Sequence, residues 1–600
     1  MVRPRQVMLM ALSAALTGCG EKDEAGQEAT GEVKVRRESD LMPLRMRKLD
    51  RSDREMVSKA EGTDLGEGKP VAEVGWESER LSGQALARLK KLVNRKGQVG
   101  DVLAESFLGS VVIPCNLERK EDGASGREVW VMAGKTELVG AKEFEQGLEN
   151  GLMGEVHLKV VGVRVGEDFV ETDVFVELGS PNRQATAEWL CRWSLGENEV
   201  LRLSRLEVKD YRELRWQGGS LFVDASSAVL GKTPHFQSLI NRGIADWAGE
   251  LSSFSDFSLT GHHGIAVGDI DGDGRDDVFV CDGGGIPNRL YRQKVDGSAE
   301  DISAEAGLDW YEDSRSALFV DVDNDGDQDL VVGTIGMVAF AENDGSGRFT
   351  LRGGFPGAQY PFSMSAADYD LDGDVDLYIC RYGKGDNDSG ERGFEAQSPV
   401  PFEDARNGGA NVLLENLGGF GFADVTEEVG LGVNNDRWSF AASWEDYDRD
   451  GDSDLYVAND FGMNTLYRNE GGRFKEVAEE LGVEDVGAGM SVSWGDYNRD
   501  GRFDLYVGNM FSSAGGRITN QERFTTGRGE KAIEGMRRMA KGNSLFAGDE
   551  NGFVEVANAG GAEMGRWSWS SGFIDVDSDG WEDLVVSNGY LTGWETKEDL

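Results

Sequence analysis

The chain has 600 residues, too many for a single hydrophobic core, so length alone implies roughly two to four domains. It holds 83 glycines against 11 prolines, with 39% hydrophobic residues, which suits a fold rich in tight turns and excludes a long-helix architecture. A formal net charge of −47 excludes a nucleic-acid partner, because phosphate binding needs a basic face.

Residues 1–19 read as a processing segment. Arg3 and Arg5 open it, and Val7 to Leu16 form an apolar run too short to span a bilayer. Leu16-Thr17-Gly18-Cys19 then resembles the bacterial lipobox. That resemblance implies lipidation at Cys19 and a location in the bacterial cell envelope, at the outer membrane, the periplasmic face or the cell surface. A plain signal peptide containing a cysteine is the other reading. No other segment is apolar enough to cross a membrane, so the mature chain is expected to touch one through its lipid only.

Residues 20–75 are charged and poor in aromatics, the composition of a flexible tether. Over 76–218 the pattern changes. Leu81, Leu86, Leu89 and Leu92 predict a helix ending near Gly97, and a second helix is expected over Ala141–Asn150. Four alternating runs follow as strands: Glu155–Val165, Asp168–Leu178, Ala185–Leu195 and Val200–Trp216. Helices followed by an antiparallel meander predict a small α+β domain. It resembles the curled sheets of nuclear-transport-factor and cystatin folds, a likeness that implies no function. Cys115, Cys191, Cys281 and Cys380 are open to two readings: the pairs Cys115–Cys191 and Cys281–Cys380, or four free buried thiols.

From residue 219 to 600 the chain repeats itself. Six copies of a nine-residue acidic loop recur. Positions one, three, five, seven and nine are Asp269, Asp271, Asp273, Arg275 and Asp277 in the first loop, and Asp321, Asp323, Asp325, Asp327 and Asp329 in the second. The third has Asp368, Asp370, Asp372, Asp374 and Asp376, and the fourth Asp446, Asp448, Asp450, Asp452 and Asp454. The fifth has Asp496, Asn498, Asp500, Arg502 and Asp504, and the sixth Asp575, Asp577, Asp579, Trp581 and Asp583. A second half-unit reads Asn464-Thr-Leu-Tyr-Arg-Asn469, with versions starting at Asn288, Asn411 and Asn543.

Carboxylates at positions one, three, five and nine, with the carbonyl at position seven, supply most of the six to eight oxygens that Ca²⁺ requires. Without a cation, such a group of carboxylates is self-repelling. An EF-hand begins the same way but needs a glutamate at position twelve and flanking helices. Position twelve here is Val280, Val332, Ile379, Val457, Val507 or Val586, and position ten is also apolar. The chain therefore leaves each loop as a strand with one face buried.

These loops and half-units are similar to the FG-GAP and VCBS repeats of integrin α-subunit propellers, and look most like bacterial relatives of cartilage acidic protein. The resemblance covers about residues 220–600. It implies a mostly β chain, with a six- or seven-bladed calcium-binding β-propeller behind the small α+β domain. Asn498 removes one charge, so the fifth loop is expected to bind calcium most weakly. The UnbV-like C-terminal domain common in that family is expected to have no room after Asp583. Ser220–Ser226 is expected to supply the missing half of the sixth unit and close the ring.

No catalytic constellation is legible. His157, His235, His262 and His263 start no zinc motif. Trp444 and Trp494 share one repeat position and are expected to pack between blades. The expected role is a binding or adhesion module for a glycan or protein, the alternatives being a calcium-dependent hydrolase or lyase, or a structural envelope lipoprotein. Two insertions, Arg381–Gly409 and Phe511–Gly542, occupy the same topological place. They are expected to meet as an aromatic and basic ligand rim carrying Tyr382, Phe394, Phe402, Arg517, Arg523 and Arg528, with Arg537 and Arg538 nearby.

Overall fold

The computed structural model describes residues 77–588 apart from 95–99, 123–126, 152–153, 181, 196–199, 218–221, 237–262, 283–285, 384–398 and 577. The processing segment with Cys19, the tether, His262 and Phe394 lie outside the described residues. Among the described residues no helix is long and apolar enough to cross a membrane.

Helix α1 (Glu77–Asn94) buries Leu81, Ala85, Leu89 and Leu92, one face of a helical repeat. Four strands then follow that the sequence does not announce: β1 (Leu103–Ser110), β2 (Leu117–Asp122), β3 (Arg127–Met132) and β4 (Leu138–Gly140). After α2 (Ala141–Gly151) come β5 (Glu155–Val165), β6 (Phe169–Ser180), β7 (Arg183–Leu195) and β8 (Leu201–Trp216), within two residues of the expected bounds. All eight strands form one sheet, in which β5–β8 make an antiparallel meander and β1 runs parallel to β8. Trp189, Trp193, Tyr211 and Phe144 fill its core against α1.

The repeat region is a series of four-stranded antiparallel meanders. The first sheet is β9 (Ile265–Gly268), β10 (Asp277–Val280), β11 (Arg289–Gln293) and β12 (Ala299–Asp301). The second is β13 (Ser314–Val320), β14 (Asp329–Thr334), β15 (Val338–Asn343) and β16 (Phe349–Phe355). The third is β17 (Pro361–Ala367), β18 (Asp376–Arg381), β19 (Val412–Asn416) and β20 (Phe422–Asp424). The fourth is β21 (Trp438–Glu445), β22 (Asp454–Phe461), β23 (Thr465–Asn469) and β24 (Phe474–Glu476). The fifth is β25 (Gly489–Gly495), β26 (Asp504–Asn509), β27 (Ser544–Asp549) and β28 (Gly552–Glu555). A two-stranded sheet, β29 (Ser568–Ile574) with β30 (Asp583–Asn588), begins a sixth unit, and the single-turn helices α4 (Ser303–Ala306), α5 (Thr426–Val429) and α6 (Ala478–Leu481) follow the first, third and fourth sheets.

The first strands of successive sheets lie side by side, β9 on β13, β13 on β17, β17 on β21, β21 on β25 and β25 on β29. Each sheet therefore packs face to face on the next, and the second strand of each four-stranded sheet is buried on both faces, not on one as its sequence suggests. Leu377 and Ile379 enter the core shared with the second sheet, while Tyr378 and Cys380 enter the core shared with the fourth. Leu455 and Val457 face the third sheet, and Tyr456 and Ala458 the fifth. Continuous apolar runs are the signature of such strands. Trp444 and Trp494 sit in these inter-sheet cores, against Phe474 and Tyr447 respectively.

Two expectations need correction. Neither disulfide pair forms: Cys115, Cys191, Cys281 and Cys380 are free thiols, as the alternative reading had it, except that Cys115 is exposed; the other three are buried in three different cores. Burial pushes the Cys380 thiol up to about 12. Described residues 222–225 form no strand. The chain continues into a short helix, α3 (Ser226–Leu230), whose Val229 and Leu230 cover the first sheet at Tyr291 and Ala299. This helix occupies the open face of the first sheet instead of completing the sixth.

Candidate metal centres

Each acidic loop joins the first strand of a sheet to the second, a strand–loop–strand unit. Its backbone follows one design. The position-one carboxylate accepts the amides of positions five and six, as when Asp446 accepts Asp450 N at 3.0 Å and Gly451 N at 3.1 Å. The same pair recurs at Asp269, Asp321, Asp368, Asp496 and Asp575. The position-five carboxylate accepts the amide of position seven, so Arg275, Asp327, Asp374, Asp452, Arg502 and Trp581 are placed by their backbone. The glycine at six has φ between 81° and 101° in all six loops (Gly501 and Gly451 are the limits), as the turn requires. Position four is also left-handed, at Asn324, Leu371, Arg449, Arg499 and Ser578, which the sequence does not betray.

Position nine has a role beyond the one expected. In the first five loops its aspartate is buried, and its two oxygens hold backbone on both sides. Asp454 accepts Tyr447 N at 3.3 Å and Asn469 N, from the third strand, at 2.7 Å. Asp277, Asp329, Asp376 and Asp504 make the equivalent pairs, and Asp583 accepts Val576 N. Burial, offset by these amides, raises Asp277, Asp329 and Asp504 to about 6, Asp376 to about 7 and Asp454 to about 8. The position-nine residue thus clamps the second and third strands at the mouth of the loop.

Among the described residues, carboxylate oxygens converge in four loops, all within 4.8 Å of one another: Asp269, Asp271 and Asp273; Asp321, Asp323 and Asp325; Asp368, Asp370 and Asp376; Asp446, Asp448 and Asp454. These clusters can hold a metal ion. Asp271 Oδ1 and Asp323 Oδ1 are buried without a hydrogen-bond partner, an arrangement that costs free energy unless a cation meets them. Burial and then the adjoining carboxylates raise Asp323, Asp370 and Asp448. The fifth loop has Asn498, whose side-chain oxygen accepts Asp500 N at 2.9 Å. Asp577 of the sixth lies outside the described residues.

The two insertions meet. Both join the second strand of a sheet to the third, and a Cβ placed on Gly535, in the helix Glu530–Met539, would lie 3.4 Å from Glu403 Cβ. Their side chains are distributed otherwise than expected. Tyr382 is an internal anchor: its hydroxyl donates to Asp460, and its ring packs on Phe362 and Trp438 at 4.8 and 4.9 Å. Arg517, on α7 (Ser513–Ile518), is buried and forms a two-pronged ion pair with Glu79 of α1 at 2.8 and 2.6 Å, besides donating to the Val160 carbonyl. Arg538 is held by Asp485 at 2.9 Å. Phe402, half exposed on Phe461, Arg523 on α8 (Glu522–Thr525) and Arg528, stacked over Phe524, remain at the surface. Arg537 lies exposed near the end of α9 (Glu530–Met539). A sequence cannot reveal that Arg517 meets a partner 438 positions earlier.

The FG-GAP-like repeat model matches residues 269–332, 321–379 and 446–507. Cartilage acidic protein 1 of Xenopus tropicalis is 28% identical over 230 residues, 37% of this chain; the chain spans about a third (32%) of that relative. Among solved structures, a lectin of Agrocybe aegerita that recognises non-reducing terminal N-acetylglucosamine aligns over 76% of this chain and 92% of its own, with TM-score 0.30 and 14% identity. The Vibrio cholerae biofilm matrix protein Bap1 aligns over 41% and 34%, with TM-score 0.24 and 14% identity. Neither structural likeness bears on the ligand. The repeat matches coincide with the loops described above, and the chain carries FG-GAP-like repeats in three places.

Proposed function

We propose that residues 219–600 form a calcium-stapled β-propeller that acts as a binding or adhesion module for a glycan or protein, held in the bacterial cell envelope by a lipid at Cys19. The orphaned, buried oxygens of Asp271 and Asp323 carry the calcium reading most directly. Each lies in a loop whose position-one carboxylate and position-five Oδ1 already accept backbone amides, and although Arg275 pairs with Asp273 in the first loop, a hard cation would neutralise the carboxylate charge that remains. Adjacent first strands and shared inter-sheet cores support the propeller. The exposed parts of the insertions, including Phe402, Arg523 and Arg528, are the proposed ligand surface. Arg517, Tyr382 and Arg538 hold that surface in place. Isothermal titration of calcium into chelator-stripped protein tests the reading. Asp450→Ala should remove more binding heat than Asp500→Ala, whose loop already lacks one charge at Asn498. Absence of saturable calcium heat would overturn it.

A further inference from the structure

A cavity of about 1050 Å³ lies between the eight-stranded sheet and the fifth and sixth repeat units. One wall is sheet, with Val163, Phe175 and Glu188. The other is the second insertion and the turn after β28, with Phe511, Arg537 and Met564. Contacts between the two bodies frame it: Arg517 with Glu79, Arg566 with Glu177 at 2.9 Å, and Arg212 donating to the Asn558 carbonyl. The size is that of a small-molecule site at a domain boundary.

Most charges lining the cavity neutralise one another. Arg164 pairs with Asp173, Arg212 with Asp210, and Lys541 with Glu563. Two do not. Among the described residues, the side chains of Glu188 and Arg537 have neither an ion pair nor a hydrogen bond, and they stand on opposite walls. Lys209 faces Glu188 across the β7–β8 pair beyond ion-pairing distance. Glu188 is exposed to the cleft; partial desolvation by its surroundings first, then Asp210 and Asp173, and more weakly Glu563, disfavour its charge, and Lys209 offsets this only in part. An amine brought to this carboxylate relieves that cost. A carboxylate brought to Arg537 makes the two-pronged contact that a guanidinium favours. Val163, Phe175, Phe511 and Met564 supply apolar surface between.

We propose that this cleft binds a short peptide with free termini, its α-amine at Glu188, its carboxylate at Arg537 and its body over the apolar walls. The site is separate from the acidic loops, and its test stands whether or not they bind calcium.

The full-length protein, carrying ¹³C-methyl methionine, is titrated with trialanine, N-acetyl-trialanine and trialanine amide. The Met564 methyl signal, assigned with Met564→Leu, should shift saturably with trialanine and more weakly with either blocked peptide. Glu188→Gln should weaken trialanine about tenfold and erase the penalty for N-acetylation, while Arg537→Gln should do the same for amidation. A merely structural role would not separate the two ends. The proposal is overturned if Met564 stays unmoved up to roughly 10 mM trialanine. It is equally overturned if the three peptides shift the signal alike, or if either variant leaves its discrimination intact.

Discussion

The side-chain amide of Asn469 donates to the carbonyl of Tyr369 at 2.7 Å, tying the third strand of one sheet to the acidic loop of the sheet before it. Asn416 reaches Val322 and Asn343 reaches Ile270 in the same way, each at 2.8 Å. The same asparagines present their backbone amides to the position-nine aspartates, so loop, clamp and neighbouring sheet form one connected network. The fifth sheet has Gly548 at this place and lacks the link. Each of these loops is therefore bonded directly to the third strand of the following sheet.

Asn469→Ala should cost about 1–3 kcal/mol, because it strands the buried Tyr369 carbonyl and removes a second bond to Ser453. Thermal unfolding at fixed calcium measures it. Gly548→Asn should not strengthen the fifth sheet, since its Cβ would lie 2.5 Å from the Phe503 carbonyl.

Arg517→Ala should loosen the joint between the eight-stranded sheet and the repeat region. The variant leaves Glu79 and the Val160 carbonyl without their partner, a loss of about 2–3 kcal/mol from the joint. Hydrogen exchange should rise in α1 and α7 while the third and fourth sheets stay protected. Unchanged exchange in α1 would refute the tether.

Asp460 gives a pH signature apart from the metal loops. Burial raises its carboxyl to about 6, although Tyr382 donates to it. An unfolded aspartate titrates near 4, so between about pH 4 and 6 the folded state binds the extra proton and stability falls as pH rises. Asp460→Asn should remove that fall, gaining on the wild type by up to about 3 kcal/mol between pH 4 and 7. Denaturant melts of both proteins across that range check the sign.

Cys19→Ser should move the expressed protein from the detergent phase to the aqueous phase on partitioning. A wild type already in the aqueous phase contradicts the lipid anchor.

Much of the repeat region is written in its sequence because its turns demand particular residues. Glycine at position six, apolar residues at ten and twelve, and asparagine at the head of the third strand each answer a backbone requirement. Asn288, Asn411, Asn464 and Asn543 accept a backbone amide within two residues of the end of the second strand, at 2.7–2.9 Å. The meander β5–β8 is legible from its strict alternation. Strands β1–β4 are not: Leu117–Asp122 reads LERKED, a polar run whose strand state comes from pairing with β3. The double role of position nine and the fate of Arg517 depend on partners distant in sequence, which local pattern cannot supply.

Calorimetry of the full-length protein with 1 mM calcium and with excess chelator tests the central claim. Extracellular calcium sites bind at about 10⁻⁴–10⁻³ M, so each occupied loop should add on the order of 1 kcal/mol at 1 mM, and several loops together a marked rise in melting temperature. Chelation should lower the transition of the repeat region by many degrees, and calcium should restore it. The same melting curve in calcium and in chelator would contradict it.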